Sequence, residues 1–416
     1  MSRTALLKPT LQRLESDFQA LSQFVDSSFT GHTRQVLSEP YLASRAWIRQ
    51  TMIEAGLEVH QDAAGNTIGL LKGSGNGPAL ATGSHTDTVL SGGRFDGVIG
   101  VLGAIELVRT LRESGTVLER DLYVIDFLGE EPNEFGVSCV GSRSLTGAIT
   151  SEFFDSSNAH GATLGAQLES VGYSPSAMLS NKWPAGSLHA FVELHIEQGP
   201  VLERTGTQIG VVTAIAGIER VVATFLGRAD HAGTTSMADR RDALAAAAEA
   251  ILVVEQIGCT GEHSVATVGS IEVEPGAMNV VPSSARMWTE MRSPSAEWLG
   301  TARRNVLDQL TELAERRDIG VDLSWLNDQD PVPTATSVQD VIAAASDDLG
   351  YSWRAMPSGA GHDAAHMALL APTGMIFVPS LDGRSHCPEE WTDFEDVGVG
   401  VHALAATLLS LDGDRT

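Results

Sequence analysis

The sequence predicts an α/β protein in two parts: a discontinuous α/β domain with a mixed central sheet, and a small α+β domain inserted into it. Length and two changes of pattern carry this reading. The chain has 416 residues, more than one ordinary core accommodates. From about residue 40 to 215, short apolar runs alternate with helix-length stretches. Between 216 and 328 the order of elements changes, and afterwards it changes back.

Taken in order, apolar runs at 80–83, 122–128 and 189–194 read as strands, and a fourth lies downstream at 374–378. Within the insert, 218–225 reads as a strand and 241–256 as an alanine-rich helix. Residues 265–273 and 285–292 read as strands, 297–317 as a helix and 321–326 as a last strand. That β-α-β-β-α-β order is a split βαβ unit. Helical patterning resumes at 338–349 and 396–411, the latter opened by Thr392 and Glu395 at capping-box spacing. The expected boundaries are 1–215 with 329–416 for the outer domain and 216–328 for the insert.

Apolar residues make up 43% of the chain and charged ones 19%, as in ordinary globular proteins. The formal charge of −26 repels phosphate backbones and anionic lipid heads, which argues against nucleic-acid or membrane partners. An anionic substrate would therefore need a local cation. No run of about 18 uninterrupted apolar residues marks a membrane span, and residues 1–24 lack a secretory-signal layout. Cys139, Cys259 and Cys387 are odd in number and far apart, which fits a reducing, cytoplasmic setting.

Parallel sheets bind ligands beyond the carboxyl ends of their strands. The four expected strands end at, or shortly before, His85, the pair Glu130-Glu131, His195 and His386, and the loop after the first adds Asp87 and Asp96. Histidine and carboxylate donors in one place suit a divalent metal such as zinc. Asp96, among glycines and just before a helix, is the natural bridge between two ions. His85 and His195 then take one metal, Glu131 and His386 the other. Glu130 stays unligated, a general base and acid beside metal-activated water. Asp87 is expected to orient the His85 imidazole through its second nitrogen. The cofactor expectation is two divalent ions, zinc first, with manganese, cobalt and nickel accepting the same donors.

These segments resemble the amidase/hydantoinase/carbamoylase branch of the co-catalytic dimetal, aminopeptidase-like hydrolases. The matching residues are Gly83-Ser84-His85-Thr86-Asp87-Thr88, Phe95-Asp96-Gly97, Glu130-Glu131, Glu193-Leu194-His195-Ile196-Glu197-Gln198-Gly199-Pro200, His231-Ala232-Gly233-Thr234-Thr235 and Ser385-His386. The resemblance implies the metal roles above, an inserted lid domain, and a homodimer formed through it. It implies hydrolysis of the ureido C–N bond of a small carboxylate-bearing substrate, an N-carbamoyl-L-amino acid or a related ureido acid such as allantoate. An aminopeptidase or dipeptidase sharing the metal centre is the competing expectation; the resemblance implies that His195 discriminates, since peptidase-like relatives commonly carry a carboxylate there and the ureido-cleaving branch a histidine. The resemblance also implies that His231 reaches a partner subunit's site and stabilises the oxyanion.

For substrate capture, Arg292 at a strand end is expected to grip a carboxylate with two hydrogen bonds. Asn279 would add a neutral donor, Gln198 would bind the ureido group, and the amides of Gly359, Ala360 and Gly361 would line the pocket. The chain departs from the family at Pro132-Asn133-Glu134-Phe135, where many members have Gly-Ser-Arg-Phe, and at Cys387, where serine is common.

Overall fold

The computed structural model describes residues 7–413, apart from the side chains of 327 and 328. It forms two compact units: Met1–Thr213, Thr334–Met356 and His362–Thr416 in one, Ala214–Pro333 and Pro357–Gly361 in the other.

In the larger unit the sheet runs, in spatial order, Glu58–Gln61, Thr67–Leu71, Leu122–Phe127, Ala79–His85, Leu188–Ile196, Thr373–Val378 and Ile209–Ile215. The four from Leu122–Phe127 to Thr373–Val378 are parallel, and the pairings outside them are antiparallel. The sheet is therefore mixed, as expected. Ala79–His85 and Thr373–Val378 are buried at every residue, the mark of strands covered on both faces. Helix Val98–Glu113 lies directly on the sheet. A Cβ at Gly100 would stand 2.5 Å from Ser84 Cβ and 2.6 Å from the Leu194 carbonyl oxygen, so glycine allows this approach.

Helix Phe394–Gly413 is long and apolar enough to cross a membrane by length and composition. Its Val397, Val401, Leu404 and Leu408 are instead buried in the core with Leu14, Phe18 and Val101. The expected capping box does not form at its start. The helix begins at Phe394, and the Thr392 hydroxyl donates to the Pro379 carbonyl at 3.0 Å. Sequence spacing suggested the box, but a contact across the loop uses the hydroxyl.

The smaller unit has the β-α-β-β-α-β order: Gly217–Leu226, Ala243–Gly258, Val265–Glu274, Ser284–Ser293, Ala296–Arg316 and Gly320–Gln329. Its antiparallel sheet is ordered Gly320–Gln329, Gly217–Leu226, Ser284–Ser293, Val265–Glu274. Val221, Ala223, Phe225, Met287 and Met291 alternate along two strands and are buried with Ala246, Ala250, Val306 and Leu310 of the helices. Beside the sheet, Asp230–His231 pairs with Val280–Val281 as a short ribbon.

Candidate metal centre

Because the four central strands run parallel, their carboxyl ends lie along one edge of the sheet. His85 and His195 sit on two adjacent strands there, both buried. The loops after Phe127 and Val378 bring Glu130, Glu131 and His386 to the same edge. Asp96 meets all three histidines. Its Oδ1 is 3.6 Å from His85 Nε2 and 3.2 Å from His195 Nε2, and its Oδ2 is 3.4 Å from His386 Nε2. His386 Nε2 is also 3.3 Å from Glu131 Oε1. Two donor groups result, His85 with Asp96 and His195, and Asp96 with Glu131 and His386. Within each, the ligand atoms lie within 4.8 Å of one another.

The surroundings fit a cation. His85 Nε2 is buried and makes no hydrogen bond among the described residues. Its other ring nitrogen is 3.0 Å from the Asp87 main-chain oxygen, which points Nε2 into the cluster. His195 is held the same way, with Nδ1 2.9 Å from the Ile196 carbonyl. Carboxylates are in excess: Asp87, Asp96, Glu130, Glu131, Glu193 and Asp363 are all buried. Burial, then the charge of Glu131, pushes the Glu130 carboxyl well above its usual range. Burial would raise Asp96 too, but His195 and His386 outweigh it and hold it well below. His386 is raised to about 11 by its hydrogen bonds to Asp96 and Glu131. Such a cluster of buried negative groups and imidazole lone pairs is stabilised by a divalent ion.

Asp87 differs from its expected role. Its backbone oxygen, rather than its side chain, orients His85, whose Nδ1 is 3.7 Å from Asp87 Oδ1. The carboxylate instead accepts the Glu130 N–H at 3.2 Å and the Glu131 N–H at 3.0 Å. It therefore fixes the peptide that carries the glutamate pair. Glu130 Oε2 faces His85 Nε2 at 3.6 Å, and Oε1 lies 3.6 Å from Cys139 Sγ. Gln198 Nε2 donates to Asp96 Oδ2 at 2.6 Å while its buried Oε1 lacks a protein partner among the described residues.

At the departures from the family pattern, Asn133 Oδ1 accepts the Phe135 and Val137 N–H groups, which builds the loop. Exposed Glu134 accepts from Asn158. Cys387 belongs to neither donor group.

Sequence reasoning missed Glu193, Cys139 and Glu390. Glu193 lies two residues before His195 on one strand and so shares its face, a signal that was available. It accepts from Ser84 Oγ at 2.7 Å and the Ala364 N–H at 3.0 Å. With His195 and His362 it forms a third set of clustered donors. Glu390 had no such signal.

The remaining expected residues belong to the smaller unit, where the structure separates them. Arg292 pairs across the sheet with Ile218 and Val265. Its Nε donates to Glu290 Oε1 at 2.6 Å and its Nη1 to the Gly359 carbonyl at 3.3 Å. Ser284, at the other end of that strand, pairs with Leu226 and Glu274. His231 and Asn279 follow those two residues in the chain and sit together, with the Ala232 N–H donating to the Asn279 oxygen at 3.0 Å. Eight strand residues span about 27 Å, so Arg292 and Asn279 do not form one carboxylate clamp within a unit. Nor are the amides of 359–361 all free: the Ala360 N–H donates to Ser358 Oγ at 3.1 Å.

Comparison with known proteins agrees with the site. Residues 81–410 match peptidase family M20/M25/M40. An N-carbamoyl-L-amino-acid amidohydrolase of Paenarthrobacter aurescens is 36% identical over 98% of this chain and 99% of its own length. A ureidoglycolate hydrolase of Arabidopsis thaliana is 38% identical over 96% of this chain and 86% of its own. The crystal structure of an amidase of the hydantoinase/carbamoylase family from Burkholderia multivorans superposes with a TM-score of 0.90 at 32% identity, covering 99% of this chain and 100% of that one.

Proposed function

The chain belongs to peptidase family M20/M25/M40, and from that premise we propose that it is an amidohydrolase cleaving the ureido C–N bond of an N-carbamoyl-L-amino acid or a close ureido acid. The products are the amine, carbon dioxide and ammonia. The observation that carries this reading is a histidine, not a carboxylate, at 195, with Nε2 3.2 Å from Asp96. Relatives named for ureido substrates over nearly the whole chain support it.

His85, Asp96 and His195 would hold one divalent ion, and Asp96, Glu131 and His386 a second. Zinc is the first choice, and manganese, cobalt or nickel suit the same donors. Bound there, such ions polarise a carbonyl and acidify water. Glu130 takes the proton released as water attacks and hands it to the leaving nitrogen. Asp87 keeps Glu130 in place through the backbone. Gln198 binds the ureido group.

Arg292 grips the substrate carboxylate. Glu290 accepts from both Arg220 and Arg292, which orients the Arg292 guanidinium. His231, with Asn279 beside it, serves a second copy of the chain in a homodimer formed through the smaller unit. Their separation from Arg292 along the sheet supports this. So do exposed Leu244 and Leu252 on helix Ala243–Gly258 and exposed Val265 and Ile271 on the edge strand. The three free cysteines support a reducing, cytoplasmic setting.

The test is an activity screen of N-carbamoyl-L-amino acids, allantoate, ureidoglycolate and dipeptides, after metal removal and with each ion restored. Activity is expected on a ureido acid, lost on chelation and recovered with metal. Glu130→Gln should cost about 100- to 10,000-fold in kcat with both ions bound. Peptide cleavage without turnover of any ureido compound would overturn the assignment.

A further inference from the structure

We propose that Glu390 is the positioning residue that couples the two donor groups, tying the loop of the bridging Asp96 to the loop of His386 and so setting occupancy of the Asp96-Glu131-His386 group. The inference rests on the two-ion reading above.

The three histidines are not equally supported. His85 and His195 are buried on central strands, whereas the His386 side chain is 47% exposed, on a loop residue with φ of 55°. What holds that loop is polar. Glu390 is 3% exposed, and its Oε1 accepts the Phe95 N–H at 2.8 Å and the Asp96 N–H at 3.0 Å. Its Oε2 accepts from Ser385 Oγ at 2.7 Å, the residue just before His386. Ser385 Oγ also lies 2.7 Å from Asp96 Oδ2. One carboxylate thus fixes the backbone of the bridging ligand, and through one hydroxyl it fixes both that ligand's side chain and the neighbouring histidine. Gly93 admits it, since a Cβ there would stand 2.0 Å from Glu390 Cδ. Apolar packing around the tie is independent of it: Phe95 contacts Phe18, Trp391 and Phe394 at ring-centroid distances of 5.0, 5.2 and 5.7 Å. Removing the carboxylate therefore loosens the polar link without emptying the core.

Glutamine at this position keeps an oxygen for the two amides and offers its NH2 group to Ser385 Oγ, whose single hydrogen then goes to Asp96 Oδ2. The conservative variant should then rescue what alanine loses. The experiment is calorimetric titration of the metal-stripped protein with Mn2+, with fold checked by circular dichroism and His386→Ala as reference. Wild type is expected to take two equivalents. Glu390→Ala should keep the first and bind the second at least tenfold more weakly, as His386→Ala does, while Glu390→Gln stays within about threefold of wild type. Ser385→Ala and Gly93→Ala should weaken the same equivalent, and they carry the test if Glu390→Ala does not fold. Wild-type binding of both equivalents by Glu390→Ala, equal damage in the glutamine variant, or loss falling on the first equivalent would each overturn the proposal. If wild type itself fails to take two equivalents, the two-ion reading falls first.

Discussion

Gly97→Ala tests how the helix after Asp96 is joined to the metal centre. Gly97 has φ of 65° and ψ of −41°, a conformation that costs an L-residue about 1–3 kcal/mol. Its added Cβ would lie 2.3 Å from His85 Nε2 and 2.4 Å from the two adjacent ring carbons. Ordinary contact begins near 3.5 Å, so the ring must retreat by about 1 Å. Strain of this overpacking kind costs a further ~1–3 kcal/mol. The sum is within the ~5–15 kcal/mol of a typical domain, so the variant should fold while its site is displaced. A misplacement of about 1 Å can lower turnover by roughly 100-fold. The assay pairs kcat/KM on the best ureido substrate with metal content after dialysis and a urea melt. Gly115→Ala is the control, since Gly115 has φ of 68° but a Cβ there would meet nothing within 4 Å; it should lose only the backbone cost of about 1–2 kcal/mol and keep full activity. A folded Gly97→Ala protein with wild-type turnover and metal content would refute the reasoning.

Two further predictions concern stability. Arg45 and Asp126 form a buried pair at 3.0 Å, and Arg45 also donates to the Gly65, Asp126 and Phe127 carbonyls. Arg45→Met should lower unfolding free energy by about 3–5 kcal/mol, because it strands a buried carboxylate; a urea-midpoint change worth under about 1 kcal/mol would contradict this. Burial, and then the charge of Arg143, lowers the His366 pKa to about 3. The folded state thus keeps this ring neutral, and its contribution is complete above the unfolded-state pKa near 6.5 and is lost as pH falls toward about 3. Between about pH 6.5 and 5 that amounts to at most about 2 kcal/mol. His366→Phe should flatten the decline in urea stability over this window relative to wild type, and an unchanged slope would refute the assignment.

The capping box shows where local reading failed. Thr392 and Glu395 have the right spacing, yet Pro379 takes the hydroxyl, and no local rule anticipates a partner across a loop. Asp87 shows a subtler case. Its place two residues after His85 suggested a side-chain contact, while the backbone makes that contact and the side chain serves Glu130 and Glu131, more than forty residues away. Glu390 lies 294 residues from the Asp96 amide it accepts. Such pairings are legible only after the chain has folded.

Sequence by itself determined the mixed α/β class, the order of elements in the insert, and the donors that gather at the sheet edge. These follow from apolar periodicity and from the types of residue at strand ends, which are local properties of the chain. Tertiary structure alone decided that Asp96 meets all three histidines, that Asp87 acts through its carboxylate on the glutamate pair, and that Arg292 and Asn279 lie at opposite ends of one sheet. The reason is geometric. Strand order and register fix which distant residues share an edge or a loop, and they are set by the packing of the whole core rather than by any segment of it.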